Sequence, residues 1–133
     1  MRNIPASIFV VIVGILVVSV PLFAHHGNAA FDSASVTVKG TVTEWTWSNP
    51  HCFVKFDAKD DQGNIVHWVA ETSNPSDMID RGWTKGSLKV GYEVTVTMQT
   101  VKSGKPIGRV QKIVLADGKV LNTTLPPAPK TNE

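Results

Sequence analysis

The segment VTVKGTVTEWTW, residues 36–47, decides the fold class because its apolar and polar residues alternate. Val36, Val38 and Val42 share one parity, and threonine or lysine stands between them, which is typical of a β-strand. Gly40 interrupts the run, and a glycine inside a strand indicates a bulge or a sharp bend. The segment therefore predicts a long first strand with a bend.

The chain after this segment carries further strand patterns and one helix signal. Strands are predicted at residues 52–58, 65–71, 93–100, 107–115 and 120–121. The helix signal has Ser73 or Asn74 as its cap, Pro75 in its first turn and Gly82 as its stop. This order predicts an all-β, OB-like Greek-key barrel of five to six strands, with one short helix between strands three and four. An ordinary β-sandwich is the alternative, although a helix at that place is rare in sandwiches.

Strand parity also predicts which side chains fill the core. The inward-facing set is Cys52, Val54, Phe56, Val94 and Val96.

The first 24 residues have the pattern of a signal peptide. An apolar run at residues 8–20 follows a short basic start, and the small residue Ala24 fits cleavage directly after it. Such a cut makes His25 the new N-terminus. An uncleaved inner-membrane anchor is the alternative, because residues 4–24 approach the roughly 20 residues that span a bilayer. Either way, we expect the rest of the protein to be exported, to the periplasm or beyond.

The chain is expected to have three parts. These are a signal peptide at residues 1–24, one β-barrel domain at residues 25–122, and a disordered tail at residues 123–133. The middle part is long enough for one core and too short for two. The tail carries three prolines, which favour extended or disordered chain.

Charge and cysteine content narrow the class of protein further. The chain has 13 Lys and Arg against 11 Asp and Glu, so loss of Arg2 with the leader leaves 12 against 11. No basic patch is visible, so we expect no nucleic-acid partner. Cys52 is the only cysteine, so no intrachain disulfide can form, and its strand pattern predicts a small buried side chain.

Several motifs together resemble a family of small exported bacterial proteins catalogued as a domain of unknown function. The motifs are His25-His26 after a leader, Lys39-Gly40-Thr41-Val42, Trp47-Ser48-Asn49-Pro50-His51, Glu71 at a strand end, and Arg81-Gly82-Trp83-Thr84. The resemblance spans about residues 25–121. The family pattern usually has Thr at position 48 and a small or aromatic residue at position 52, so Cys52 is peculiar to this chain. The resemblance implies an exported compartment and a set of residues, and it implies no reaction.

A mature terminus at His25 would place one α-amine and two imidazoles in adjacent residues. Imidazole is a common ligand of copper, zinc and nickel, and a free amine can join it. The amine, the His25 ring and one further histidine would resemble the copper-binding histidine brace. The other N-terminal copper motif needs a histidine at the third position, which here is Gly27. Solvated histidines without a metal are the alternative.

Strand register indicates which other histidine can join this terminus. If the hairpin at residues 60–64 pairs Asp57 with His67, then His51 and His67 lie about 20 Å apart along the sheet. His51 instead lies near Glu71, at the end of the third strand. The predicted metal site is therefore His25, His26, His51 and Glu71, with Glu71 either supporting a ligand or pairing with Arg81. A hydrogen bond from His51 to a backbone carbonyl is its alternative, purely structural role.

Five more residues complete the candidate site or its frame. Trp47, Asn49 and Pro50 form the turn before His51, while Arg81 and Trp83 follow the helix and are expected to cover one end of the barrel.

Two functions follow from these patterns. The first is an exported metal-binding module, for Cu(II) or a similar transition metal, that serves metal handling or assists a redox system. The second is a non-metal module that binds a periplasmic protein or envelope ligand through an aromatic face, formed by Trp45, Trp47, Phe53 and Trp68. Packing in or around the core is the commoner use of such residues. No nucleophile with a base and no phosphate loop is visible, so we expect no enzyme.

Overall fold

A computed structural model of the protein describes residues 30–124. The predicted signal peptide, His25, His26 and the tail from residue 125 onwards lie outside this range. The described chain contains β1 (Phe31–Thr46), β2 (Phe53–Lys59), β3 (Ile65–Glu71), α1 (Pro75–Asp80), β4 (Glu93–Val101), β5 (Ile107–Leu115) and β6 (Val120–Asn122). The predicted β-rich fold with a short helix between the third and fourth strands is confirmed. Within residues 30–124, no helix has the length and apolarity to cross a membrane.

The six strands form one sheet in the order β3-β2-β1-β4-β5-β6. Neighbours in this order pair antiparallel, and β3 also pairs in parallel with β5 over three residues, Val69–Glu71 against Ile107–Arg109. Both edges of β3 are therefore hydrogen-bonded, one to β2 and one to β5.

The first strand begins at Phe31, five residues before its predicted start at Val36. Its early part pairs with β4 from Phe31 to Thr41, and its later part pairs with β2 from Thr41 to Thr46. Residues 32–37 are exposed. These residues form a strand because their backbone pairs with β4, and their side chains are not buried. The hydrophobic pattern therefore could not predict this part of β1.

Gly40 lies where β1 changes partners, as the predicted bend requires. A Cβ atom at this position would collide with the backbone carbonyl oxygen of Asp57 and lie 2.9 Å from Cδ2 of Phe56. Only glycine lets β2 approach β1 this closely. The pairing irregularity itself lies two residues further on, between Val42 and Glu44.

The core fills the space inside the sheet, and all five side chains predicted to point inward are buried there. The fully buried set also includes Val42, Ala70, Met78, Trp83, Met98 and Ile113. Met78 comes from α1 and Trp83 from the segment after it. The helix and the segment after it therefore each contribute one large side chain to the core.

Capping sets the place of α1. The side chain of Asn74 accepts a hydrogen bond from the Asp77 amide at 2.9 Å, and Pro75 follows the cap. Gly82 ends the turn with φ at +85°, a conformation that favours glycine. The chain then turns inward, and the Trp83 indole donates a 2.7 Å hydrogen bond to the carbonyl of Asn122.

We expect Gly40→Ala to lower the free energy of unfolding by about 1–3 kcal/mol, because a backbone carbonyl must move to admit the methyl group. Gly86→Ala is the matched control, since its methyl group would meet only the Thr84 hydroxyl at 3.8 Å. Urea denaturation of both variants measures the difference. Equal stability of the two variants would show that β1 and β2 do not pack as closely as described.

Candidate functional site

A pocket of about 300 Å³ lies where β3 ends beside β5. It brings together three residues that the sequence predicts for the site: His51, Glu71 and Arg81. The other lining residues are Thr72, Ser73, Arg109, Val110, Thr123 and Thr124. Among the described residues, this pocket is the place where the predicted site members meet.

A backbone carbonyl directly after β3 fixes the ring of His51, which precedes β2. Its Nδ1 lies 2.9 Å from the carbonyl oxygen of Thr72, so the backbone hydrogen bond predicted as the structural alternative for His51 is present. Because a carbonyl only accepts, Nδ1 carries the proton, and Nε2 of the neutral ring keeps its lone pair. The ring packs edge-on against Phe53, with centroids 6.4 Å apart. His51 as a residue is exposed, and no described hydrogen bond engages its Nε2.

The pairing of β2, β3 and β5 positions Glu71. It stands opposite Phe53 on β2 and opposite Arg109 on β5. Its Oε1 accepts a hydrogen bond from Nε of Arg109 at 3.1 Å. The ion-pair partner of Glu71 is thus Arg109, and the alternative in which it pairs with Arg81 is wrong.

The start of β1 contacts one pocket residue, Arg109, through an aromatic ring. The Arg109 guanidinium carbon lies 4.3 Å from the centroid of the Phe31 ring, a cation–π geometry. The amide of Lys102 donates to the carbonyl of Ala30 at 3.1 Å and fixes the backbone beside it. The chain that carries the N-terminal histidines therefore enters the fold next to Arg109.

The turn residues lie around the pocket rather than in its wall. Asn49 and Pro50 are exposed and joined by a cis peptide bond. Trp47 is half-buried and packs on Trp45, with ring centroids 5.9 Å apart. Trp83 is fully buried behind them, 5.8 Å from Trp45. None of these residues lines the pocket.

His67 is separate from this pocket. The predicted register is confirmed, since His67 stands opposite Asp57 on β2. Its Nδ1 lies 2.6 Å from Oδ1 of Asp57, and 79% of its side chain is exposed. Glu71 is four residues further along β3, about 13 Å at 3.3 Å per residue. His67 thus belongs to another part of the sheet.

Between residues 30 and 124, no cluster of three or more His, Cys, Asp and Glu side chains is placed to hold a metal ion. Two of the four predicted metal ligands, His25 and His26, lie outside that range. The described chain thus contributes His51 and Glu71 to the predicted set.

The tryptophans of the predicted aromatic face pack inward. Trp45, Trp47 and Trp68 are partly buried against the core, and Trp68 stacks on the buried Phe56 with centroids 6.2 Å apart. The Trp45 indole donates to the carbonyl of Lys85 at 3.1 Å. These contacts occupy much of the surface that a stacking ligand would need.

Two residues of the site, Arg109 and Phe31, escaped the sequence analysis. Arg109 meets Glu71 only through the parallel pairing of β3 with β5, and no hydrophobic pattern encodes that pairing. Phe31 precedes the alternating segment 36–47, and no apolar–polar alternation around it indicates a strand. The one available signal was a positive charge in β5, and Lys112 in the same strand gives that signal too.

The sequence pattern of a family of unknown function, DUF6152, matches residues 12–111. The chain belongs to this family. The match confirms the resemblance to a domain of unknown function and includes every described pocket residue up to Arg109 and Val110. Among curated proteins, no significant match to this DUF6152 member was found.

Cys52 lies beside the pocket and is fully buried. Its Sγ lies 3.9 Å from the carbonyl oxygen of Ser48. Burial raises the pKa of the Cys52 thiol, so less thiolate is present at a given pH than for an exposed cysteine. The prediction of a small buried side chain is confirmed.

We expect the native protein to react with iodoacetamide far more slowly than the denatured protein, because the thiolate is the reactive form and Cys52 is enclosed. The control is Ser76→Cys in a Cys52→Ala background, since Ser76 is exposed on α1. Mass spectrometry after timed labelling measures both rates. Equally fast labelling of native Cys52 and of the control would contradict the burial.

Proposed function

We propose that this protein is an exported binding module that coordinates Cu(II) or a similar transition metal through its mature N-terminal histidines. His51 would supply a further imidazole, and Glu71 would support the site from beside it. Such a module would serve metal handling or assist a redox system. The observation that carries the proposal is the hydrogen bond from His51 Nδ1 to the Thr72 carbonyl, which orients Nε2 as a donor to a metal.

Metal-binding histidines commonly donate their second ring nitrogen to a carbonyl or carboxylate, which fixes the tautomer and the ring orientation. His51 has this arrangement, and the edge contact with Phe53 limits rotation of the ring. His67 also has a bonded Nδ1, but it lies too far along β3 to join. This difference makes the two histidines a matched pair for experiments.

Chain length supports the participation of His25 and His26. Ala30 is held beside Lys102, and Phe31 lies over Arg109, which shares the pocket with His51. His25 is five residues before Ala30, a span of at most about 18 Å. A segment of this reach supports a contact of the N-terminal histidines with the surroundings of Arg109.

We infer that the sheet is an OB-like Greek-key barrel. The support is the order β3-β2-β1-β4-β5, the additional β3–β5 pairing and the helix between β3 and β4. In such a barrel the loop between strands one and two and the loop between strands four and five flank the binding region. Here these loops carry His51 and lead into Arg109.

Export is part of the proposal, with cleavage after Ala24 and residence in the periplasm or outside the cell. Retention by an uncleaved N-terminal helix would still place residues 30–124 on the same side of the membrane, but it would leave His25 without a free amine. The partner we propose is thus a metal ion, with a periplasmic protein as a further partner in metal transfer.

The alternative is a non-metal module with an aromatic binding face. It has less support, because Trp45, Trp47 and Trp68 pack against the core. The metal-binding function is therefore the better supported of the two.

We expect protein that begins at His25 to bind one Cu(II) tightly, as measured by isothermal titration calorimetry against a competing chelator. One extra residue before His25, or His51→Ala, should weaken binding at least about tenfold, because each change removes one ligand. Affinity should also fall as the pH is lowered from about 7.5 to about 5, since protons compete with the metal for imidazole and amine.

The matched control is His67→Ala, which removes a histidine with a similar Nδ1 bond and should leave the Cu(II) affinity unchanged. Equal affinity with and without the extra N-terminal residue would refute the proposed ligand set. An intact mass showing a mature chain that starts after His26 would do the same.

A further inference from the structure

Among the described residues that line the pocket beside His51, Arg81 has a charge that no ion pair offsets. Arg81 lines the pocket and is partly buried, yet its side chain makes no hydrogen bond or ion pair to any residue from 30 to 124. The neighbouring charges of Arg109 and Glu71 pair with each other at 3.1 Å. The pocket therefore carries a net positive charge at the Arg81 guanidinium.

The hydroxyl groups around the pocket determine how many donors an anion bound beside Arg81 would find. The hydroxyl of Thr72 donates to the Cys52 carbonyl, that of Ser73 to the Asp77 carboxylate, and that of Thr123 to the Val110 carbonyl. These three hydroxyl protons are thus donated within the protein rather than to a ligand. Arg81 remains the principal donor, with the exposed Thr124 at the rim.

We propose that this pocket binds the carboxylate of a small organic acid through Arg81. A guanidinium fork matches two oxygens of either a carboxylate or a phosphate. A carboxylate is favoured because the hydroxyls of Thr72, Ser73 and Thr123 donate within the protein and leave few donors for the additional oxygens of a phosphate. Val110 is an apolar residue of the pocket lining that the carbon skeleton of the acid would contact. A volume of about 300 Å³ accommodates a ligand of that size. This site does not depend on a bound metal.

The test uses metal-free processed protein, treated with chelator and titrated with benzoate and acetate at constant ionic strength. Backbone amide NMR shifts near residues 72–73, 81–82 and 109–110 report binding. We expect saturable shifts, and Arg81→Gln should weaken binding at least about tenfold. Arg81→Lys keeps the charge but loses the fork, so an intermediate affinity is expected. Inorganic phosphate should bind more weakly than benzoate.

Lys85→Gln is the matched control, because it removes one positive charge from an exposed side chain outside the pocket. It should bind benzoate as tightly as the unmodified protein does. Equal weakening by Arg81→Gln and Lys85→Gln would show a general charge effect and overturn the proposal. So would the lack of saturable shifts with either acid, or tighter binding of phosphate. Thermal denaturation of each variant establishes that the fold is intact.

Discussion

The structure depends on the short parallel pairing between β3 and β5. Three residues of β3, Val69–Glu71, pair with Ile107–Arg109, and the amide of Val69 donates to the Pro106 carbonyl at the start of this contact. The pairing covers the second edge of β3 over its last three residues and brings Arg109 to Glu71. Without it, His51 would lie at the end of a hairpin with no pocket beside it. The site is therefore a product of the topology rather than of one motif.

The contacts of Arg109 reinforce the pairing of β3 with β5. Arg109 contacts Glu71 on one side and the Phe31 ring on the other, so one guanidinium links β5 to both β3 and the start of β1. Two-thirds of the Arg109 side chain is withdrawn from water, since its exposed fraction is 33%. Contact with water weakens such a pair less when it is partly buried. The link holds Phe31, at the start of β1, beside Arg109.

Much of this structure could be predicted from the residues alone, and the limits have physical causes. The alternation of apolar and polar residues predicted that Val54 and Val96 point into the core. The turn residues predicted the pairing register of β2 and β3, which places His67 away from the pocket. The first part of β1 escaped prediction because it is exposed on both faces. Arg109 escaped because contacts between strands distant in sequence leave no local pattern. The N-terminal histidines remain a prediction, since they lie outside the described residues.

The most direct test of the proposed site is paramagnetic broadening of amide NMR signals by one equivalent of Cu(II), in protein that begins at His25. Signals of residues near the bound ion should disappear. The proposed site predicts loss around His51, at residues 71–73 and around Arg109, with signals around His67 retained. Broadening centred on His67, or confined to the residues before Ala30, would contradict the convergence of the N-terminus and His51.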